Sequence, residues 1–287
     1  MALQRVLTPS LVLLALAFAP LTRAQNKANP PVTKPAYELE VDGYQKPVPN
    51  PPKDHVPGPA PKHDMTGTWE PLPYRSGVFP TGPKEMPEDG KHVLPFTPEG
   101  KAAFDANKPG NGPRAVPINE NNDPFNICDP VGFPRVELNA LKAIQFFQTP
   151  KQVVIIYEND QVWRNIWTDG RELPKEILEP RWYGYSVGKW TDDTTLVVDT
   201  IGLDTRTWLD NVGRPHSEDL KVEETFHRVN SDLAELSVTI TDPKYYSKPW
   251  VALNKFPLQI RPDWFDIREQ ICSASEAADF NKTSGEK

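Results

Sequence analysis

Cysteine is scarce in this sequence of 287 residues, which contains only Cys128 and Cys272. So small a number, at so wide a spacing, excludes a disulfide-rich scaffold and the closely spaced cysteine pairs of redox and zinc motifs. In an oxidising compartment we expect the two thiols to form one disulfide. Two buried free thiols, or a distant redox pair, are the alternatives.

Long apolar runs are equally scarce. The run at residues 11–19, LVLLALAFA, is too short to cross a bilayer as a helix. Arg5 precedes it and the triplet Thr22-Arg23-Ala24 follows it, which together form the pattern of a secretory signal peptide over residues 1–24. The sequence therefore predicts cleavage after Ala24, a secreted or periplasmic product and no membrane span.

Basic residues are outnumbered, since 32 Lys and Arg stand against 39 Asp and Glu and the net charge is −7. An acidic chain is a poor electrostatic partner for nucleic acid or anionic lipid, so neither is expected to bind. Histidine is rare as well, and His216 and His227 lack the spacing of metal ligands to each other or to either cysteine. The sequence predicts no metal site and no cofactor.

Proline is scarce only in the second half of the chain, because 25 of the 33 prolines fall within positions 1–134. Proline is excluded from central strands, so regular sheet is expected mainly in the second half. Residues 25–63 are predicted to be a flexible proline-rich arm, residues 64–275 the folded domain and residues 276–287 a polar tail.

β-Branched and aromatic residues alternate with polar ones in the second half, separated by short turn signals. Such consecutive hairpins predict a mainly all-β fold, an antiparallel meander closed into a lipocalin-like barrel, because closure removes exposed strand edges. One short helix is predicted at residues 97–107, and residues 263–278 fit a second helix or a strand followed by a helix. The predicted strands are residues 65–71, 142–149, 152–158, 161–168, 182–190, 194–200, 220–229, 233–241 and 250–260.

Gly67-Thr68-Trp69, near the start of the first predicted strand, resembles the Gly-x-Trp signature of calycins, the lipocalin-like barrels. In those barrels the tryptophan plugs the closed end and an arginine from a late strand covers it, which here implies Arg228 or Arg268. The surrounding prolines and the long insertion before the next strand depart from the lipocalin pattern.

A wider resemblance covers most of residues 65–275. The ordered segments MTGTW, TPEGKAAFDANKPG, CDPVGFPR, IQFFQTPKQVVIIYE, TDGRELP and WYGYSVGKWTDDTTLVVDT are similar to those of a large uncharacterised family of secreted bacterial proteins. The resemblance implies export and a β-barrel. It implies no activity, since that family carries none that is established.

Two residues are candidates for catalysis. Ser186 lies in GYSVG (residues 184–188), which fits the G-x-S-x-G nucleophile elbow of α/β-hydrolases, and His216 lies in the later loop GRPHSE. A nucleophile elbow leads into a helix, whereas the next predicted element is the strand TTLVVDT. We therefore favour the interpretation that the two glycines mark a bend in a barrel strand. His216 is interpreted as a solvated loop residue.

Arginine and aromatic side chains in the strand region are candidates for ligand binding. Arg164 shares a strand face with Val162 and Ile166, so it needs a buried partner such as Glu158, or else it anchors an anionic head group. The aromatic residues would form pocket walls, or else a packed core with an exposed rim. The predicted ligand-binding residues are Arg135, Tyr157, Trp163, Arg164, Trp167, Trp182, Tyr185 and Trp190.

The favoured function is binding of a small apolar or amphipathic molecule, with tryptophans as the walls of the site. One alternative is a hydrolase or barrel-type isomerase that uses Ser186 or His216. The other is a cell-envelope module that contacts another protein through its aromatic rim and its proline-rich arm. A filled barrel is expected of the interaction module, so the state of the interior separates these hypotheses. The sequence does not predict the oligomeric state.

Overall fold

The computed structural model describes residues 43–44, 46–49, 51–72, 94–138 and 141–285. The predicted signal peptide and residues 25–42 of the predicted arm lie outside the described residues. The described strands are β1 (Gly67–Pro71), β2 (Ile144–Thr149), β3 (Gln152–Tyr157), β4 (Trp163–Trp167), β5 (Tyr185–Trp190), β6 (Thr195–Ile201), β7 (Lys221–Arg228), β8 (Leu233–Thr241) and β9 (Trp250–Ile260). The described helices are α1 (Pro98–Ala106), α2 (Arg135–Leu138), α3 (Ala274–Gly285) and a 3₁₀ helix, Pro124–Ile127.

The strands form one closed barrel in which each strand pairs with its neighbours in the sequence and β9 closes on β1. The predicted all-β barrel is confirmed. All neighbouring pairs are antiparallel except β4 and β5, which run parallel through the partners Ile166–Ser186 and Trp167–Val187. Parallel neighbours need a crossover connection, and residues 168–184 supply it. The expectation of an entirely antiparallel meander is therefore wrong at this one pair.

Inward-facing side chains fill the barrel. Strands β3, β6 and β8 alternate strictly between buried and partly exposed positions, as expected when one face of a sheet meets a core. A void wide enough for water would leave accessible surface on the side chains around it, but these inward side chains are 1 % exposed or less. They are Trp69, Ile144, Phe146, Val153, Ile155, Ile166, Leu196, Val198, Val222, Phe226, Leu236 and Val238. The interior formed by these residues is therefore solid.

Trp69 lies beside Arg228, as the resemblance to calycins implies. The guanidinium carbon of Arg228, on β7, is 5.0 Å from the centroid of the Trp69 ring. The indole Nε1 donates a hydrogen bond of 2.9 Å to the carbonyl of Met65. Arg268, the other candidate, lies 3.4 Å from Glu158 instead. Arg228 is therefore the arginine that covers the tryptophan.

Helices α1 and α2 lie in the described part of the connection between β1 and β2. Helix α1 begins as predicted, with the Thr97 hydroxyl accepting a hydrogen bond of 3.0 Å from the amide of Gly100. Residues 131–138, which include α2, are all buried. The Phe133 amide donates to the carbonyl of Trp182 at 2.9 Å. This hydrogen bond helps to hold α2 against the barrel. The Glu137 side chain of α2 contacts Tyr157 of β3.

Cys128 and Cys272 form the predicted disulfide, and their Cα atoms are 5.4 Å apart. The disulfide joins the end of the 3₁₀ helix to the segment before α3. Helix α3 continues to Gly285, so most of the segment predicted to be a polar tail is helical. The C-terminal segment is therefore fixed to the loop that precedes α2.

Part of the predicted arm lies against the barrel. The amide of Gly58 donates to Ser231 Oγ at 2.9 Å, and the amide of His63 donates to the carbonyl of Asp193 at 2.6 Å. Residues 51–63 therefore run past the turns that follow β5 and β7.

Candidate functional site

Arg164, in the middle of β4, is the centre of a buried polar cluster inside the barrel. Its Nη1 donates to Glu224 Oε1 at 2.9 Å and its Nη2 donates to the other oxygen of that carboxylate, so the ion pair is bidentate. Its Nε donates to Ser186 Oγ at 3.0 Å, and Nη2 also donates to Thr200 Oγ1 at 3.2 Å. One side chain thereby ties together strands β4, β5, β6 and β7.

Helix α2 adds a second carboxylate to this cluster. Glu137 Oε1 accepts a hydrogen bond of 2.6 Å from the Tyr157 hydroxyl and lies 3.4 Å from Arg164 Nη1. The Phe133 ring covers the guanidinium, whose central carbon is 3.9 Å from the ring centroid. Every nitrogen of Arg164 is hydrogen-bonded within the protein. In this conformation Arg164 therefore has no donor left for an anionic head group.

The cluster sets two carboxylates against one guanidinium. Burial and the neighbouring Glu224 carboxylate raise the pKa of Glu137 well above its usual value, and Arg164 opposes the rise only in part. The direction of this shift favours the protonated form of Glu137, while Glu224 makes the bidentate ion pair with Arg164. Glu137 Oε2 has no hydrogen-bond partner among the described residues.

A glutamate with a raised pKa beside a tyrosine has the chemistry of a general acid, but this one is closed to solvent. Glu137 and Arg164 are at most 2 % exposed. None of the three clefts found on the described surface is lined by a residue of the cluster. Glu158, the partner expected for Arg164, lies beyond the end of β3 and faces Arg268 instead. The cluster is therefore a structural element of the barrel.

Ser186 and His216 do not form a catalytic pair. Ser186 is buried within β5, and its hydroxyl contacts Arg164 and lies 2.9 Å from Thr200 Oγ1. His216 Nδ1 donates to the carbonyl of Ser217 at 3.1 Å, and its Nε2 lies 2.8 Å from a threonine hydroxyl. His216 is 2 % exposed, so the expectation of a solvated loop histidine is wrong. This burial lowers the pKa of His216.

The bend interpretation of the GYSVG segment agrees with its backbone. Gly184 has a φ of +64°, a region that favours glycine. A Cβ at Gly188 would lie 2.7 Å from a methyl carbon of Ile166 on the parallel neighbour strand. The two glycines therefore serve the turn into β5 and the close packing of β5 against β4.

Trp163 and Trp167 lie on the outside of the barrel, so they do not form the walls of an internal pocket. Trp163 is 66 % exposed, and Arg171 stacks over Trp167 with its guanidinium carbon 3.8 Å from the ring centroid. The outward residues of β2, β3 and β4 make three cross-strand rows, which we call the aromatic face. The rows are Gln145–Ile156–Trp163, Phe147–Val154–Asn165 and Thr149–Gln152–Trp167.

Arg135 leads to the largest of the three described clefts, which has a volume of about 570 Å³. Arg135 is buried, and its two terminal nitrogens donate to the two oxygens of Asp123 at 2.7 and 2.6 Å. Asp123 forms part of the cleft, which lies between the 3₁₀ helix and α3. We call it the disulfide cleft because Ile127 and Asp129, the neighbours of Cys128 in the sequence, line it. Its lining residues are Ile118, Asn119, Asn121, Asn122, Asp123, Pro124, Asn126, Ile127, Asp129, Arg206 and Asn281.

Several contacts hold the walls of the disulfide cleft in place. Asn281 Nδ2, on α3, donates to the carbonyl of Asn126 at 3.1 Å. On the other side, Arg206 donates from Nε and Nη2 to the carboxylate of Asp204, at 3.0 and 2.7 Å. The guanidinium carbon of Arg206 lies 4.1 Å from the centroid of the Trp182 ring. These contacts orient the side chains of Asn281 and Arg206 on the two sides of the cleft.

The eight residues predicted to bind a ligand are not brought together in one site. Tyr157 and Arg164 lie inside the barrel, and Trp163 and Trp167 lie on the aromatic face. Tyr185 lines a separate cleft of about 320 Å³. Trp190 lines another of about 440 Å³, with its ring centroid 5.2 Å from that of His63. Only Arg135 and Trp182 lie close to the disulfide cleft, each behind a residue that lines it.

The disulfide cleft itself was not predicted. Its signal in the sequence is the amide-rich run NENNDPFN at residues 119–126, whose side chains both donate and accept hydrogen bonds. The opposite wall comes from Asn281, 155 residues after its partner Asn126. No local pattern connects two segments at that distance.

The described residues form a closed, nine-stranded β-barrel with a solid interior and a surface cleft beside the disulfide. Comparisons with protein-family models, with curated proteins and with solved structures give no match to this chain. Over the described ranges, no helix is long and apolar enough to span a membrane. Within the same ranges, no group of three or more His, Cys, Asp or Glu side chains is placed to hold a metal ion.

Proposed function

We propose that this protein is a secreted or periplasmic binding protein that holds a small, uncharged amphipathic molecule in the disulfide cleft. The observation that carries the proposal is the cleft itself, in which apolar side chains and fixed polar groups converge. Its volume of about 570 Å³ falls within the roughly 300–1,000 Å³ that small-molecule sites occupy. Among the described residues, the inward side chains leave no comparable space inside the barrel.

The lining of the cleft suits an amphipathic molecule. Ile118, Pro124 and Ile127 supply apolar surface, and Ile127 is 66 % exposed. Asn126 and Arg206 supply hydrogen-bonding groups beside this surface. A ligand with an apolar body and a few hydroxyl or carbonyl groups would satisfy both parts of the lining.

The charges around the cleft favour an uncharged ligand. Asp123 is balanced by Arg135, and Arg206 is balanced by Asp204. Asp129 adds a further carboxylate to the lining. The local balance is therefore negative, which opposes a carboxylate or phosphate ligand.

We also propose that the protein is exported from the cytoplasm. The disulfide agrees with an oxidising compartment, and the sequence pattern of residues 1–24 is that of a signal peptide. We also infer a calycin-like ancestry, which the contact between Trp69 and Arg228 supports. The enzyme alternative loses support because the hydroxyl of Ser186 is buried, so an active-site-directed fluorophosphonate should leave it unlabelled.

The test uses matched pairs of probes, each an alcohol and the carboxylate with the same apolar tail, titrated by calorimetry into the full chain. We expect the alcohols to bind more tightly than the carboxylates. Arg206→Ala should weaken alcohol binding about tenfold, since it removes a fixed polar group worth roughly 1–2 kcal/mol. Failure of every alcohol to saturate the protein, or tighter binding of the carboxylates, would overturn the proposal.

Arg171→Ala is the matched control for Arg206→Ala. Arg171 pairs with Asp169 two residues earlier and stacks on Trp167, just as Arg206 pairs with Asp204 and stacks on a tryptophan. Arg171 does not line the disulfide cleft. We expect the control variant to bind the alcohols like the wild type, and equal losses in both variants would contradict the assignment of the cleft.

A further inference from the structure

A second cleft lies at the end of the barrel where β1 begins and where β2, β4 and β5 end. Its volume of about 440 Å³ also suits a small molecule. It shares no lining residue with the disulfide cleft. We call it the Trp190 cleft, and its lining residues are His63, Asp64, Thr66, Gln148, Thr149, Pro150, Thr168 and Trp190.

Two rings give the Trp190 cleft an aromatic side. Trp190 is the last residue of β5, and its ring centroid lies 5.2 Å from that of His63. The Trp190 side chain packs against the barrel core, so the ring is held in place while part of it stays exposed. The face of an aromatic ring is negative and attracts C–H groups whose hydrogens are slightly positive. The C–H groups of a sugar ring have this character because the ring carbons are bonded to oxygen.

Hydrogen bonds hold the chain that carries His63 and Asp64 against the barrel. Gln148, on β2, donates from Nε2 to the carbonyl of His63 and accepts from the amide of Met65 at 3.2 Å. The amide of Thr66 donates to Asp64 Oδ1 at 2.8 Å. A ligand would therefore meet side chains that are already positioned, which lowers the entropy cost of binding.

The polar lining matches a compound with several hydroxyl groups. The hydroxyls of Thr66 and Thr168 have no hydrogen-bond partner among the described residues, so each can both donate and accept. The Asp64 side chain is 39 % exposed, and its carboxylate can accept from ligand hydroxyls. Hydrogen bonds to a charged acceptor are stronger than those between neutral groups. A sugar presents neighbouring hydroxyl groups beside an apolar ring face, so it fits both the polar and the aromatic lining.

The charges of the Trp190 cleft favour a neutral ligand. Of its eight described lining residues, Asp64 alone is acidic and none is Lys or Arg. Arg228 Nη1 lies 3.8 Å from Asp64 Oδ2, so this carboxylate already has a basic neighbour. An anionic ligand would meet the carboxylate without a basic lining residue to offset the repulsion.

We propose that the Trp190 cleft binds a neutral saccharide. One face of a sugar ring lies against Trp190, and the sugar hydroxyls bond to Asp64, Thr66 and Thr168. The parallel pairing of β4 with β5 places Thr168 and Trp190 at the same end of the barrel, which brings these groups together. Saccharide binding here is independent of the ligand proposed for the disulfide cleft.

A glycan array of neutral, sulfated and uronic-acid oligosaccharides, probed with the full chain, tests the proposal. We expect binding to neutral members only, and calorimetry then measures the Kd of the strongest one. Thr168→Val removes a hydroxyl at nearly constant volume and should weaken this binding about three- to tenfold, the scale of one neutral hydrogen bond. Asp64→Asn removes the charged acceptor and should weaken it by at least as much.

Thr225→Val is the matched control for Thr168→Val. Thr225 is also partly exposed, but it lies on β7 and lines none of the three described clefts. We expect the control variant to bind the oligosaccharide like the wild type. Circular dichroism of all variants checks that the barrel is folded.

The proposal is overturned if no neutral oligosaccharide on the array binds, or if the acidic members bind more tightly. It is also overturned if Thr168→Val and Asp64→Asn both keep wild-type affinity. Arg206→Ala separates the two clefts, because it should leave saccharide binding unchanged. A loss in Arg206→Ala without a loss in Thr168→Val would place the saccharide in the disulfide cleft instead.

Discussion

The two faces of strand β4 differ in how much of each side chain is buried and hydrogen-bonded within the protein. On the inner face, Arg164 uses all of its nitrogens within the protein and Ile166 is fully buried. On the outer face, Trp163 is mostly exposed and Asn165 is bonded only to its neighbour on β3 among the described residues. The inner face therefore stabilises the fold, whereas the outer face keeps apolar and amide groups exposed to solvent.

The disulfide cleft and the barrel interior also differ, because different interactions hold them together. The two walls of the cleft come from the 3₁₀ helix and α3, which the barrel hydrogen bonds do not join. Cys128–Cys272 closes a separation of 144 residues between them. We therefore expect the shape of the cleft to depend on the disulfide. The barrel interior is held instead by side-chain packing and by the Arg164 cluster.

Removing the disulfide should have the largest effect. We expect Cys128→Ala with Cys272→Ala to lower the free energy of unfolding by on the order of 4–5 kcal/mol, the loop-entropy value for so long a closed loop. Alcohol binding in the cleft should be lost as α3 separates from the 3₁₀ helix. Urea denaturation and calorimetry measure the two effects, and wild-type affinity in the double variant would contradict the role given to the disulfide.

Arg164→Met should be nearly as damaging. It leaves the buried Glu224 carboxylate without its partner, and breaking a buried ion pair from one side costs roughly 3–5 kcal/mol. Arg164→Met combined with Glu224→Leu should recover most of the loss, because burial raises the pKa of the remaining Glu137 and so favours its uncharged form. Urea denaturation gives these values, and Arg171→Met on the outside serves as the control with wild-type stability. A double variant no more stable than Arg164→Met would contradict the assigned charges.

The two glutamates of the cluster should respond differently to the same change. Glutamine resembles a protonated glutamate, so Glu137→Gln should alter stability at neutral pH by no more than about 1 kcal/mol. Glu224→Gln removes the bidentate partner of Arg164 and should cost several times as much. The same denaturation assay compares them. Equal effects of the two substitutions would contradict the raised pKa of Glu137.

Glu70 should make stability depend on pH. Burial raises the pKa of Glu70 from 4.5 to about 7, although its ion pair with Arg261 opposes the rise. The folded state then binds this proton more tightly than the unfolded state, so the stabilisation is present below 4.5 and is lost as pH rises through 7. Between these values Glu70 should lower the free energy of unfolding by at most about 1.4 kcal/mol per pH unit. Denaturation at several pH values should show a flatter profile for Glu70→Gln, and an unchanged profile would exclude Glu70 as the source.

The sequence predicts much of the fold because the informative patterns are local. Period-two alternation identifies most of the strands, the Thr97-Pro98 start identifies α1, and the two cysteines leave a single disulfide to form. The inward orientation of Arg164 also follows from its apolar neighbours two residues away. These features depend on residues that are close in the chain.

The candidate sites could not be predicted in the same way. Glu224 lies 60 residues from Arg164, and their contact depends on the register of strands across the barrel. Whether a barrel is hollow depends on the summed volume of the inward side chains, which alternation alone does not reveal. The parallel β4–β5 pair depends on the path of a long connection. Burial of His216 depends on how its loop is covered, and a loop sequence carries no period from which to infer that.

The solid interior is tested most directly by diffraction from a crystal of the full chain under xenon pressure, because xenon enters dry apolar voids. We expect no xenon inside the barrel, and expect any bound atoms to lie in surface clefts. A xenon atom surrounded by Phe146, Leu196 and Val238 would show a hollow barrel, and the interior would again be the place to look for the ligand.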